Sequence, residues 1–110
     1  MGVVHSDYLA KNPEAVVKFV VAMKEATDWG GKNAPRVAEI LQKAANLKPD
    51  DAQAYAKQWN AIYVTTMEPA DVAMMKKMAE IFKGAGSMKG DVPDSAFATE
   101  PYARAKKQFK

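Results

Sequence analysis

The stretch Asn12-Pro13-Glu14-Ala15-Val16-Val17-Lys18-Phe19-Val20-Val21-Ala22-Met23-Lys24-Glu25-Ala26-Thr27-Asp28-Trp29-Gly30-Gly31 decides the fold class. Asn followed by Pro is a strong helix start. Asparagine caps, and proline fits the first turn because its missing N–H would be unpaired there and its φ is already helical. Val16, Phe19, Val20 and Met23 recur at helical spacing, and Val17 and Val21 widen the stripe. That predicts a central helix over about 13–29. Gly30-Gly31 predicts its stop, since glycine is the usual residue just past a helix end.

Outward from this stretch the same punctuation recurs. Pro35, Pro49, Pro69 and Pro101 each precede an amphipathic run. Glu14, Asp50-Asp51 and Asp71 follow their prolines closely, where the positive end of the helix dipole favours negative charge. Val37, Ile40, Leu41 and Ala44 give a helix over about 35–46, ended by Asn46. Ala52, Tyr55, Ala56 and Trp59 give one over 49–63, with Ile62 and Tyr63 as its extension. Val72, Met75, Ala79 and Phe82 give one over 69–83, with Met74, Met78 and Ile81 alongside.

Ahead of these, Val3-Val4 has the β-branched character of a strand end, and Ser6 and Asp7 read as caps of a short turn from Tyr8 to Lys11. Gly84, Gly86, Gly90 and Pro93 mark a loop, and Tyr102 to Lys110 reads as a short basic helix or tail. The expectation is an all-α chain forming one domain over 1–110: a compact bundle of four main helices (13–29, 35–46, 49–63 and 69–83). The helical body covers 2–84, the loop 85–100 and the basic tail 101–110.

Bulk properties narrow the function classes. The net charge is +3, but residues 100–110 carry Arg104, Lys106, Lys107 and Lys110 against Glu100. The body is therefore neutral, which argues against a nucleic-acid groove binder. The apolar stretch Ala15–Met23 is too short to span a bilayer. No cysteine and one histidine argue against a protein-only zinc or copper site and against thiolate chemistry. No secretory leader is visible at the start of the sequence.

Candidate chemistry is thin. His5 and Asp7 are close enough for an acid–base pair, but no nucleophile accompanies them. Asp50-Asp51 has the look of a hard-cation ligand pair, yet it occupies a first helical turn, where the dipole accounts for it. Tyr55, Trp59 and Tyr63 offer an aromatic wall, and Met74, Met75 and Met78 a soft surface; at this spacing both read as core filling. Gly84-Ala85-Gly86 with Gly90 follows a helix rather than a strand and lacks the Lys-Ser/Thr ending of a phosphate loop. No catalytic residue, metal ligand or cofactor site emerges, and the expectation is a non-enzymatic protein.

Taken in order, several segments resemble one family. Val4-His5-Ser6-Asp7-Tyr8-Leu9-Ala10-Lys11-Asn12-Pro13-Glu14-Ala15-Val16 is similar to the segment following the return from the second lobe of bacterial solute-binding proteins. Ala26-Thr27-Asp28-Trp29, Ala38-Glu39-Ile40-Leu41, Leu47-Lys48-Pro49-Asp50-Asp51-Ala52 and Met67-Glu68-Pro69-Ala70-Asp71-Val72 continue the likeness. The family is the nitrate/sulfonate/taurine-type substrate-binding proteins of ABC importers, which includes thiamine-precursor binders. The likeness covers roughly residues 3–105 and corresponds to the C-terminal third of such two-lobe proteins; Gly30-Gly31 departs from the bulky residues usual after the Trp.

The resemblance implies periplasmic capture of a small anionic or heterocyclic solute for a permease, with the remainder of the binding protein as partner. It implies that these 110 residues alone hold no complete cleft. It transfers no ligand residue. His5 and Ser6, just after Val3-Val4, are the candidates, because ligands in such folds favour helix starts near strand ends. The alternative is a stand-alone helical interaction module or small accessory subunit docking through an apolar face, with homo-oligomerisation open to it.

Overall fold

The computed structural model describes residues 2–110, and no strand occurs among them. These residues form seven α-helices: α1 (Ser6–Lys11), α2 (Pro13–Lys32), α3 (Ala34–Ala44), α4 (Pro49–Lys57), α5 (Trp59–Ile62), α6 (Pro69–Gly84) and α7 (Glu100–Lys106). A 3-10 turn covers Asp94–Ala96. The all-α expectation holds, and Pro13, Pro35, Pro49, Pro69 and Pro101 each lie in the first turn of a helix.

Several details are corrected. α2 does not stop at Gly30-Gly31 but runs through both to Lys32. A Cβ at Gly30 would enter the Trp59 indole, 2.7 Å from Cζ2 and closer still to Cε2 and Nε1, and one at Gly31 would meet the Asn60 amide. The pair lets another segment approach the helix; it does not break it. The indole is held there because Trp59 Nε1 donates to the Thr27 carbonyl at 2.9 Å.

The single helix expected over 49–63 is two. Gln58 leaves helical geometry (φ −95°, ψ 9°), its N–H reaching the carbonyls of both Ala54 and Tyr55, and α5 restarts at Trp59. Asn46, at φ 52°, takes the left-handed conformation that ends a helix, as its type suggested, although α3 itself closes at Ala44. The basic tail is helical over Glu100–Lys106 rather than from Tyr102 onward. Val3-Val4 belongs to no strand, and Val3 is 91% exposed. At α1 the cap is His5, not Ser6 or Asp7.

The described residues fall into two units. One takes in the chain up to Val17 together with Thr66–Gln108, and Val17, Pro101 and Ala105 are its buried residues. α6 starts firmly within it. The Glu68 N–H donates to Asp71 Oδ2 at 2.7 Å, and Thr66 Oγ1 donates to the same oxygen at 2.8 Å. The carboxylate thus satisfies donors ahead of the first turn.

The other unit is Lys18–Thr65 with Phe109 and Lys110. Its core is Val37, Ala38, Ala52 and Ala56, where α3 packs on α4, with Ala34, Leu41, Leu47 and Trp59 around them. Three alanines in this core bring the two helices close together. Of the expected stripes, Val37, Ala52 and Ala56 face inward, while Ile40 and Tyr55 stay 43% and 47% exposed.

Candidate functional site

His5 and Ser6 lie at the start of six-residue α1 and are both exposed. His5 Nδ1 accepts a hydrogen bond from the Asp7 N–H at 3.3 Å. The imidazole and Asp7 are thus joined through backbone, in a capping turn, and among the described residues no further polar side chain is brought to them by hydrogen bond. Among the described residues, no group of three or more His, Asp or Glu side chains is placed to hold a metal ion. Nor is any helix among them long and apolar enough to cross a membrane.

The aromatic group in Lys18–Thr65 is a packing device. The rings of Trp59 and Tyr63 meet with centroids 4.3 Å apart at 37°, and the edge of the indole lies over Gly30. With its N–H committed to Thr27 and one edge against α2, Trp59 has little left to offer a ligand. Tyr55, expected in the core, points to solvent instead.

Polar side chains converge most in the unit holding α6 and α7. Glu68 accepts from Tyr102 Oη at 3.0 Å and from Lys106 Nζ, and Arg104 pairs with Glu14 while lying 3.5 Å from Glu100. The Lys106 ammonium, then the Tyr102 hydroxyl, hold the Glu68 carboxyl below its ordinary value. Glu14 raises Arg104, and Glu68 raises Lys106. Each charged group here is already met by a partner of opposite charge. The network fastens α7 to the start of α6 and to Glu14; it is a latch, with no acid or base set free for chemistry. Two of the tail's four cations are neutralised by it.

A shallow concavity of about 250 Å³ lies between α6 and the loop after it, lined by Lys76, Glu80, Lys83, Met88, Asp91 and Asp94 among others. Lys83 Nζ meets Asp91 at 2.5 Å, and Lys76 meets Asp94 and also lies 5.9 Å from the centre of the Phe97 ring. These pairs hold the glycine-rich loop against α6. They leave the concavity with no unpaired cation to attract an anion.

What α6 leaves uncovered is more informative. Val72, Met75 and Ala79 are half-buried, as the stripe requires. Met74, Met78 and Ile81 alongside the stripe, and Phe82 expected within it, are 65%, 49%, 62% and 51% exposed. The expectation that the methionines and Phe82 fill a core is corrected: only Met75 among them turns inward. The apolar arc of α6 is therefore broader than the part of it that is covered, whereas a surface helix normally buries its apolar stripe and keeps polar residues outside it. Sequence reasoning missed this face because a stripe plus its neighbours looks the same whether both sides are covered or one. Compared with known proteins, the chain matches no family model, no curated protein and no solved structure.

Proposed function

We propose that this chain works by non-covalent docking rather than by catalysis, as the C-terminal helical part of a two-lobe periplasmic solute-binding protein of the nitrate/sulfonate/taurine type. In that role it helps capture a small anionic or heterocyclic solute for an ABC importer. The carrying observation is the outward face of α6, Met74, Met78, Ile81 and Phe82. It lies on a helix whose start, Met67–Val72, is one of the segments that bear the likeness. An apolar face of this kind marks a surface that another polypeptide covers, and the remainder of a binding protein is the partner the likeness supplies. Consistent with it, the segments beginning at Asn12, Leu47 and Met67 all lead into helices, in the family's order.

The same face favours one other reading, a helical interaction module or accessory subunit with an unrelated partner. A chimera separates the two. This chain is substituted for the C-terminal helices of a taurine-binding member of the family, and taurine binding is followed by calorimetry. The chimera is expected to be soluble and to bind taurine, whereas the 110 residues alone give no heat with taurine, nitrate or a pyrimidine. A folded chimera that binds no taurine overturns the solute-binding reading, and so does micromolar binding by the isolated chain.

A further inference from the structure

The segment Pro101–Lys110 sorts its side chains by chemistry around a helical turn. At 3.6 residues per turn, Pro101, Tyr102, Ala105 and Phe109 fall within an arc of about 100°, and Arg104, Lys106, Lys107 and Lys110 lie outside it. No acidic residue interrupts the run from Arg104 to Lys110.

α7 is attached by little. Its buried residues are Pro101 and Ala105, both small. Among the described residues, no backbone hydrogen bond joins it to another element. Its hold is Tyr102 and Lys106 on Glu68 and Arg104 on Glu14, and ion pairs as open to solvent as these contribute little. The loop ahead of it is pinned separately, by Lys83 to Asp91 and Lys76 to Asp94. Ala98-Thr99 can therefore act as a hinge, and α7 can lift without disturbing α6.

We propose that α7 and the residues after it form a strap that leaves this seat for the surface of an anionic lipid bilayer. The two states exclude each other. Pro101 and Ala105 are buried in the seat and belong to the arc that faces lipid, and Arg104 and Lys106 cannot serve Glu14, Glu68 and lipid phosphates together. The latch uses two cations, whereas Lys107 and Lys110 take part in no ion pair among the described residues. A bilayer engages all four, each worth about fivefold in affinity at an anionic surface. Tyr102 and Phe109, the latter now with Lys24 Nζ 5.7 Å from its ring centre, supply the rings that settle at a lipid–water boundary. The segment lies on the membrane and does not span it. The sorting of side chains decides against nucleic acid as the anion: a phosphate backbone pairs the cations but gains nothing from an apolar arc, and the neutral body adds no phosphate contacts.

The test is flotation of the intact chain with vesicles of phosphatidylcholine or of phosphatidylglycerol, with circular dichroism to confirm that each variant keeps its helices. The wild type is expected to float with phosphatidylglycerol at about 0.01 M salt, where charges act over about 30 Å, and to be released at about 1 M, where they act over about 3 Å. It should not float with phosphatidylcholine. Lys107→Gln/Lys110→Gln, which leaves the latch intact, should weaken binding about 30-fold. Glu68→Gln and Glu14→Gln each free a latched cation and should tighten it several-fold more than Glu25→Gln. That last variant makes the same change in net charge at an exposed carboxylate that takes part in no ion pair among the described residues. No flotation with phosphatidylglycerol at low salt, equal flotation with phosphatidylcholine, indifference to Lys107→Gln/Lys110→Gln, or Glu68→Gln no tighter than Glu25→Gln each overturns the proposal. So does tighter binding to a single-stranded oligonucleotide than to phosphatidylglycerol, which would assign the strap to nucleic acid. Flotation is read without solute, so its failure and that of the solute-binding reading are separate outcomes.

Discussion

Gly30 and Gly31 carry opposite lessons although they are adjacent. Replacing Gly30 by Ala should favour the helix by about 1 kcal/mol on propensity alone. The new Cβ, however, would strike the Trp59 indole, whose N–H is fixed to Thr27. Overpacking of this kind costs about 1–3 kcal/mol, so Gly30→Ala is expected to be net destabilising, with a shifted tryptophan emission maximum. Gly31→Ala meets only the side chain of exposed Asn60, which can rotate away. That variant should be neutral or slightly more stable in denaturant unfolding. The glycine pair was legible in the sequence as punctuation, and the meaning assigned to it was wrong for a physical reason. A glycine that ends a helix and a glycine that admits a ring look alike until the ring's position is known.

At the scale of the element, the proline-led starts were legible because their determinants are local: a missing N–H, a preset φ and a nearby carboxylate. Asp71 shows how such a start is held. Asp71→Ala removes the acceptor for the Glu68 N–H and the Thr66 hydroxyl and should cost about 1 kcal/mol, read as a lower unfolding midpoint with an unchanged denaturant slope. The break at Gln58 was not legible, since nothing in Ala52–Tyr63 interrupts helical periodicity; Trp59 turning toward Thr27 on α2 is a tertiary event.

The latch on α7 responds to pH. Glu68 sits below its ordinary value of 4.5 because Lys106 and then Tyr102 donate to it, so its contribution is complete above that value and fades as acid protonates it. Lys106 is raised above 10.5 by Glu68, so its share is present below that value and is lost as base removes its proton. Amide protection in Tyr102–Lys106, the exchange rate taken relative to that of an unstructured chain at the same pH, is therefore expected to fall at both extremes and stay high between them. In Glu68→Gln protection should be lower throughout that middle range, and a protection profile unchanged by the substitution would contradict the latch.

For the whole molecule, helical class and element order were readable from sequence, whereas the division into two units and the uncovered apolar faces were not. Periodicity reports that a residue is apolar and recurs; it does not report which neighbour exists to cover it. Hence the stripes of α3 and α4 were placed well at Val37, Ala52 and Ala56 and poorly at Ile40 and Tyr55. The candidate site was legible least. His5 and Ser6 were chosen by place in the chain, and the structure gives them a capping turn, while the outward side of α6 follows from exposure alone.

That side also supplies the most direct measurement. Thioethers open to solvent oxidise readily and covered ones slowly, so Met74 and Met78 report whether another polypeptide lies over α6, with half-buried Met75 as the internal reference. Peroxide oxidation of each methionine is followed by mass spectrometry in the isolated chain and in the taurine-binding chimera. Fast oxidation of Met74 and Met78 in the isolated chain, slowed several-fold in the chimera while Met75 changes little, is the predicted result. Equal rates at Met74 and Met78 in the two proteins would contradict the account.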